Sequence, residues 1–168
     1  MKQTLRRLSC LSLLLLSASS YAGDHQYLRM GMPEAYAQEC VGCHVAYPPK
    51  MLSAKSWQRM MSNLGQHYGT DARLAPEKAR QIEAWLVDYA ARKGRRAYEM
   101  PPEDRITQTR WFVKEHRHVA PPVWRLESVK SAANCQACHS LAEQGRYDDD
   151  ELVVPKGVTP AQMRAFLD

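Results

Sequence analysis

The sequence has 168 residues, of which 23 are basic and 18 acidic, and its formal net charge at pH 7 is +5. The basic residues do not form a stripe with a recognition motif, so the composition argues against a nucleic-acid-binding protein. After the first residues, no apolar run reaches the about 20 residues that a membrane-spanning helix needs. We therefore expect a soluble mature chain.

Residues 1–22 have the pattern of a secretory signal peptide. Three basic residues precede a short apolar run, and Ser20-Tyr21-Ala22 places small residues at the two positions that signal peptidase recognises. Cleavage after Ala22 would leave 20 basic and 18 acidic residues, a formal charge of +2, and would remove Cys10. We expect export to the periplasm.

The four remaining cysteines form two copies of the motif Cys-x-x-Cys-His. The motif residues are Cys40, Cys43 and His44 in the first copy and Cys135, Cys138 and His139 in the second. This is the attachment motif of haem c, in which both cysteines form thioethers and the histidine binds iron on the proximal side. The sequence therefore predicts two covalently bound haem c groups.

Three other interpretations of the cysteines are weaker. The two pairs of a zinc ribbon usually lie about 15–20 residues apart, whereas nearly the whole mature chain separates these two. A thioredoxin-type redox pair needs a βαβ context, and no strand pattern is convincing here. A disulfide within either pair does not explain a histidine directly after both.

The elements before residue 92 predict a small helical unit around the first motif. One helix starts near Pro33 and leads into Cys40, and apolar residues spaced at i, i+3, i+4 and i+7 predict two more. We expect the second to stop at Gly65 and the third to begin near Pro76. The apolar positions are Trp57, Met60, Met61 and Leu64 in the second helix and Ile82, Trp85, Leu86 and Tyr89 in the third.

The rest of the chain predicts a linker and a second haem-binding half. Residues 92–105 hold a basic cluster and Met100-Pro101-Pro102, which is incompatible with regular helix. Thr159-Pro160 predicts the start of a short terminal helix. We expect an all-α protein with much irregular loop: a haem domain at 23–91, a linker at 92–105 and a second haem domain at 106–168.

Each iron needs a sixth ligand, and that ligand decides whether the haem is closed or open. With His44 and His139 proximal and His25 near the mature N-terminus, three histidines remain for two irons. We assign His67 to the first iron because a loop before the last helix is the usual position of a distal ligand. For the second iron we prefer His116, with His118 as the alternative. If the segment is helical, residues two apart point about 200° apart, so one haem cannot take both.

Methionine is the rival distal ligand. Met100 is the main competitor because methionine followed by proline often marks the ligand loop of small cytochromes. It comes after the helix that normally follows such a loop, so we rank it below His67. We interpret Met60 and Met61 as core residues.

With these residues in place, the chain resembles the soluble periplasmic dihaem cytochromes c of bacteria. The matching runs are Cys-x-x-Cys-His-x-Ala-Tyr-Pro-Pro at 40–49, Ser56-Trp57, Leu64-Gly-x-His67, Arg105-Ile106-Thr107, Trp111-Phe112, Glu115-His116, Asn134-Cys-x-x-Cys-His139 and Glu143-Gln144-Gly145. The resemblance implies a first half like a class I cytochrome c, bis-histidine low-potential haems and a role as an electron carrier rather than an enzyme. It also implies a redox partner, such as a small mono-haem oxygen-binding cytochrome or a membrane b-type cytochrome.

Two other classes of function remain as alternatives. A haem enzyme, peroxidase-like or acting on another small molecule, would need one open or switchable haem. A gas or redox sensor would need an output domain, and we expect none here. Carbon monoxide binding to the reduced protein separates these classes from a carrier whose haems are both closed.

Overall fold

The computed structural model describes residues 31–167, and the predicted signal peptide lies outside this range. The described part contains four α-helices and ten short 3₁₀ helices, and it contains no β-strand. The α-helices are α1 (Glu34–Cys40), α2 (Ala54–Ser62), α3 (Pro76–Asp88) and α4 (Arg110–Glu115). The 3₁₀ helices are Pro49–Met51, Leu64–Gln66, Arg95–Ala97, Pro102–Asp104, Ile106–Gln108, Pro121–Arg125, Cys135–Ala137, Ala142–Gln144, Asp149–Glu151 and Met163–Phe166. The predicted all-α class, with much irregular chain, is confirmed.

The first three helices enclose one hydrophobic core. Trp57 on α2 and Ile82 and Leu86 on α3 are each at most 3% exposed. The indole Nε1 of Trp57 donates a hydrogen bond to the carbonyl oxygen of Pro49 at 2.6 Å, so even the polar atom of this large side chain is satisfied inside the core. The apolar spacing read from the sequence therefore marks the buried faces of both helices.

Three boundaries differ from the sequence prediction. Helix α2 ends at Ser62, not at Gly65, because Asn63 leaves helical geometry with φ −126° and ψ 31° and the chain tightens into a 3₁₀ turn. Tyr89, predicted on the buried face of α3, lies just past the helix end and is 49% exposed. The terminal helix predicted to start at Thr159-Pro160 is only a 3₁₀ turn beginning at Met163.

The segment between the first core and α4 follows the surface in short turns. Its Glu103 and Asp104 both have positive φ, 52° and 55°, a conformation that non-glycine residues rarely adopt. Arg59 of α2 holds Asp104 by two hydrogen bonds, one from Nε at 2.8 Å, and Asp104 is only 8% exposed. This charge-assisted pair stabilises the strained turn and holds the end of the linker against α2.

The second half contains little regular structure beyond α4. Thr109 caps that helix, and its side chain accepts a hydrogen bond from the backbone N–H of Phe112 at 3.3 Å. Its small core consists of Phe112, Val123, Val129 and Ala142, of which the last three are fully buried. So few buried apolar side chains are a weak basis for independent stability, which fits a unit built around a large cofactor.

Candidate haem sites

The first Cys-x-x-Cys-His motif begins at the end of α1. Cys40 is the last helical residue, and the backbone N–H of Cys43 bonds to the carbonyl oxygen of Cys40 at 3.5 Å. This turn carries the chain directly into His44, whose Nδ1 lies 2.7 Å from the carbonyl oxygen of Val45. A hydrogen bond from Nδ1–H leaves Nε2 as the free lone pair, the form that binds a metal.

The second motif is a 3₁₀ turn held by a distant segment. The backbone N–H of His139 bonds to the carbonyl oxygen of Cys135 at 2.8 Å, so the motif closes on itself. The backbone N–H of Val153 bonds to the carbonyl oxygen of Cys138 at 2.8 Å, and His139 forms a bridge with Leu152. The Nδ1 of His139 is buried and has no hydrogen-bond partner in the described chain.

No disulfide joins any two of the four motif cysteines, and burial disfavours the thiolate that a redox pair needs. Burial raises the pKa of Cys40 and of Cys135 to about 11, and it also raises the pKa of Cys138. A reactive Cys-x-x-Cys pair needs a lowered thiol pKa. Within residues 31–167 there is also no cluster of three or more metal-ligating side chains of the kind that a zinc site needs.

The structure places His67, the residue assigned from sequence to the first iron, beside His44. Their ring centroids lie 6.2 Å apart, with an angle of 38° between the ring planes. His67 and Thr70 exchange two backbone hydrogen bonds of 2.9 and 3.0 Å across a tight turn. The central residues of this turn, Tyr68 and Gly69, have φ of 52° and 94°, as a type I′ turn requires. This turn presents the His67 ring to the first motif.

The structure brings His116, and not His118, to His139. The ring centroids of His116 and His139 lie 6.1 Å apart at an angle of 74°. His116 is the C-cap of α4, its Nδ1 lies 2.9 Å from the carbonyl oxygen of Phe112, and its ring stacks on Phe112 at 4.0 Å. His118 is exposed. The geometry therefore favours His116, which periodicity alone could not separate from His118.

Both histidine pairs have the spacing of axial ligands on a shared metal. With metal–nitrogen bonds of about 2.0–2.1 Å on both sides, two imidazole rings facing one metal have centroids about 6 Å apart. Burial lowers the pKa of His67, His116 and His139, so these rings are neutral at pH 7 and can act as ligands. The residues present fit two iron centres, each with a porphyrin between two histidines.

The space between these residues is one continuous cavity of about 1280 Å³ that passes both histidine pairs. A pocket for one small ligand has typically about 300–1,000 Å³. The apolar lining of the cavity in this protein includes Met60, Met61, Leu74 and Phe112. The methionines interpreted from sequence as core residues therefore also line this cavity.

Met100, the rival ligand in sequence, is placed elsewhere. Its side chain is 54% exposed, and its sulfur accepts a hydrogen bond from Nη1 of Arg59 at 2.8 Å. It does not line the cavity. Met100 therefore lies against Arg59, outside the cavity that His67 lines.

Three side-chain contacts near the candidate ligands were not predicted from the sequence. Tyr47 stacks on His44 at 4.7 Å, and Tyr68 lies 4.9 Å from His67. Near the second site, Arg146 pairs with Glu151, and this pair joins the segment after the second motif to the segment whose Val153 bonds to Cys138. Only the closeness of Tyr47 and Tyr68 to the histidines in sequence could have suggested two of these contacts.

Comparisons with known proteins identify the family of this chain. The family model for dihaem cytochrome c matches residues 36–147, two thirds of the chain and both motifs. The chain belongs to the dihaem cytochrome c family. It therefore carries two haem c groups, the cofactors that the sequence predicted.

Solved structures of dihaem cytochromes share the fold. The diheme cytochrome type c from Shewanella baltica OS155 is 33% identical, with a TM-score of 0.64 over 73% of this chain and 93% of that one. Two structures of the diheme cytochrome DHC from Rhodobacter sphaeroides are 37% and 36% identical, with TM-scores of 0.59 and 0.61. They cover 69% and 70% of this chain and 97% and 98% of their own. A search of curated proteins gives no significant match.

Proposed function

We propose that this dihaem cytochrome is an electron carrier of the periplasm whose two irons are each closed by two histidines. His44 and His67 would bind the first iron, and His139 and His116 the second. Cys40 and Cys43 would form the thioethers of the first haem, and Cys135 and Cys138 those of the second. The observation that carries this proposal is the pair of histidine spacings, 6.2 and 6.1 Å, each beside one motif.

Haem c supplies an iron that gains and loses one electron, and the protein's own groups set how easily it does so. The carbonyl oxygens of Val45 and Phe112 accept from Nδ1–H of His44 and His116. Such bonds fix the ring orientation and raise the basicity of the ligating nitrogen. Histidine in both axial positions gives a lower potential than a histidine–methionine pair, so we expect two low-potential haems.

Closed irons favour a carrier over an enzyme. An enzyme acting on peroxide or another small molecule needs a vacant or exchangeable iron position, and the second histidine ring beside each motif argues against such a position. The partner would be a redox protein, docked over a small interface of below about 1,200 Å² in total. By family resemblance it is a mono-haem oxygen-binding cytochrome or a membrane b-type cytochrome. No helix among residues 31–167 is long and apolar enough to cross a membrane.

Paramagnetic-resonance and optical spectra of the oxidised holoprotein test this proposal. We expect only low-spin iron, in two distinct signals, because the histidine planes meet at 38° in one pair and 74° in the other. Carbon monoxide should bind poorly to the reduced protein. A native high-spin signal, or ready carbon monoxide binding, contradicts two closed haems and supports the enzyme.

Ligand variants test the individual assignments. We expect H67A and H116A each to convert one of the two low-spin centres to high spin and to open it to carbon monoxide. H118A is the matched control because it removes the neighbouring exposed histidine. A low-spin H116A protein together with a high-spin H118A protein would reverse the assignment of the second ligand.

A further inference from the structure

Tyr47 contacts both candidate haem sites. Its ring stacks on His44 with centroids 4.7 Å apart and planes 22° apart. Its hydroxyl donates a hydrogen bond of 2.7 Å to the carbonyl oxygen of Ala133, a residue 86 positions further along the chain. Ala133 lies two residues before Cys135, whose Sγ is 3.6 Å from the same carbonyl oxygen. An unbroken series of contacts thus leads from an axial ring of one site to a thioether sulfur of the other.

Two other long-range contacts within residues 31–167 do not join the motifs in this way. Trp111 donates a hydrogen bond of 3.3 Å to the carbonyl oxygen of Met51, and neither is a motif residue. The guanidinium of Arg105 lies 4.2 Å from the ring centroid of Tyr68, which holds the turn after His67. These contacts fix the halves against each other, whereas the Tyr47 bond fixes one motif against the other.

We propose that Tyr47 is a positioning residue for electron exchange between the two haems. It would hold the segment that leads into the second Cys-x-x-Cys-His motif against His44, the proximal ligand of the first haem. This inference rests on the proposed roles of His44 and Cys135. In the step it serves, one electron leaves the ferrous iron of one haem and reduces the ferric iron of the other. No bond forms or breaks, and the phenolic proton stays on Tyr47.

The hydrogen bond between Tyr47 and Ala133 has a fixed direction. A carbonyl oxygen accepts but cannot donate, so the Tyr47 hydroxyl is the donor and the Ala133 carbonyl oxygen is the acceptor.

The test compares Y47F with Y68F in the holoprotein. Both tyrosines lie against a candidate iron ligand and donate to a backbone carbonyl, Tyr47 to Ala133 at 2.7 Å and Tyr68 to Glu103 at 3.1 Å. Of these two acceptors, only the carbonyl oxygen of Ala133 belongs to the segment that leads into the other motif. Pulse radiolysis adds one electron per molecule, and the concentration-independent phase that follows gives the rate of exchange between haems.

We expect Y47F to lower this rate about tenfold, equivalent to ~1.4 kcal/mol in activation free energy, and Y68F to leave it within about twofold of the wild type. Both variants should keep low-spin spectra, since both keep their aromatic rings. A Y47F rate equal to that of the wild type, or an equal fall in both variants, overturns the inference and leaves the proposed carrier function standing. A high-spin wild-type spectrum instead refutes the carrier proposal itself.

A second measurement needs no variant. In the oxidised wild-type holoprotein, the hydroxyl proton of Tyr47 should exchange slowly with solvent and show a paramagnetic shift in nuclear magnetic resonance. Tyr98, which is 85% exposed, is the internal reference for a freely exchanging hydroxyl. A Tyr47 proton that exchanges as fast as that of Tyr98 shows that the bond to Ala133 is absent in solution, and this also overturns the inference.

Discussion

Thr109 controls how firmly α4 holds the candidate distal ligand of the second haem. Its side chain is 1% exposed and makes two hydrogen bonds, accepting from the N–H of Phe112 at 3.3 Å and donating to the carbonyl oxygen of Ile106 at 2.7 Å. The helix that it caps has only six residues, and His116 is its C-cap. Replacement of Thr109 by alanine should therefore loosen the attachment of His116.

The size of this effect follows from the two bonds. Loss of an N-cap costs about 1 kcal/mol. The carbonyl oxygen of Ile106 keeps the backbone N–H of residue 109 as a donor, and loss of the second hydrogen bond, from the Thr109 hydroxyl, costs about 1 kcal/mol more. A change of about 2 kcal/mol shifts an opening equilibrium roughly 30-fold. If carbon monoxide binds only when His116 has left the iron, its apparent affinity and initial binding rate rise with the open fraction.

Carbon monoxide mixing with the dithionite-reduced holoprotein measures this fraction. We expect T109A to bind carbon monoxide at one haem roughly 30-fold faster than the wild type, whereas T109S, which keeps the hydroxyl, should behave like the wild type. Equal rates for T109A and the wild type would show that α4 does not control ligand release. A fast T109S protein would implicate the lost methyl group and its packing instead of the two hydrogen bonds.

Three further outcomes are expected. The haem-free chain should be largely unfolded, because each half has a core too small to be stable alone; cooperative thermal melting of a helical apoprotein, followed by circular dichroism, would contradict this. I82A, at a position 0% exposed, should lower the free energy of unfolding by about 2–5 kcal/mol, whereas V113A, at a position 57% exposed, should change it by less than about 0.5 kcal/mol; chemical denaturation measures both. Because burial lowers the pKa of His67 and His116 below 6.5, and metal binding acts in the same direction, the folded protein takes up these protons at lower pH than the unfolded chain. Stability should therefore be full above pH 6.5 and be lost as the pH falls through the lowered values; denaturation midpoints that rise on acidification would refute this.

The local elements of the fold could be predicted from sequence where a strong signal marked them. Pro76 begins α3 because its fixed φ suits a first helical turn, and the apolar residues behind it are buried as their spacing implies. The predicted end of α2 at Gly65 was wrong, because glycine often follows the end of a helix but a helix can end without it. Asn63 ends that helix two residues earlier.

The candidate sites were predictable to the extent that chemistry is local. The two motifs are contiguous in sequence, and His67 could be placed by its position before a helix. From sequence alone, His116 could be preferred only modestly over His118, because the position of the His116 ring depends on where α4 ends and on the carbonyl oxygen of Phe112. The bonds from Tyr47 to Ala133 and from Arg59 to Asp104 join residues 86 and 45 positions apart, and no periodicity in one sequence encodes such pairs.

Many backbone hydrogen bonds in the second half join residues close in sequence. This has a consequence for molecules that have received only one haem. From Pro121 onward, the turns Pro121–Arg125, Cys135–Ala137 and Ala142–Gln144 close hydrogen bonds over only three to five residues. Such turns form quickly because their contacts are local. They gain little cooperativity from one another, since each depends on the haem that packs against it. A chain that received only its first prosthetic group would therefore leave roughly its last fifty residues open to proteases. Degradation would then remove half-finished molecules before they could compete with mature ones for a partner.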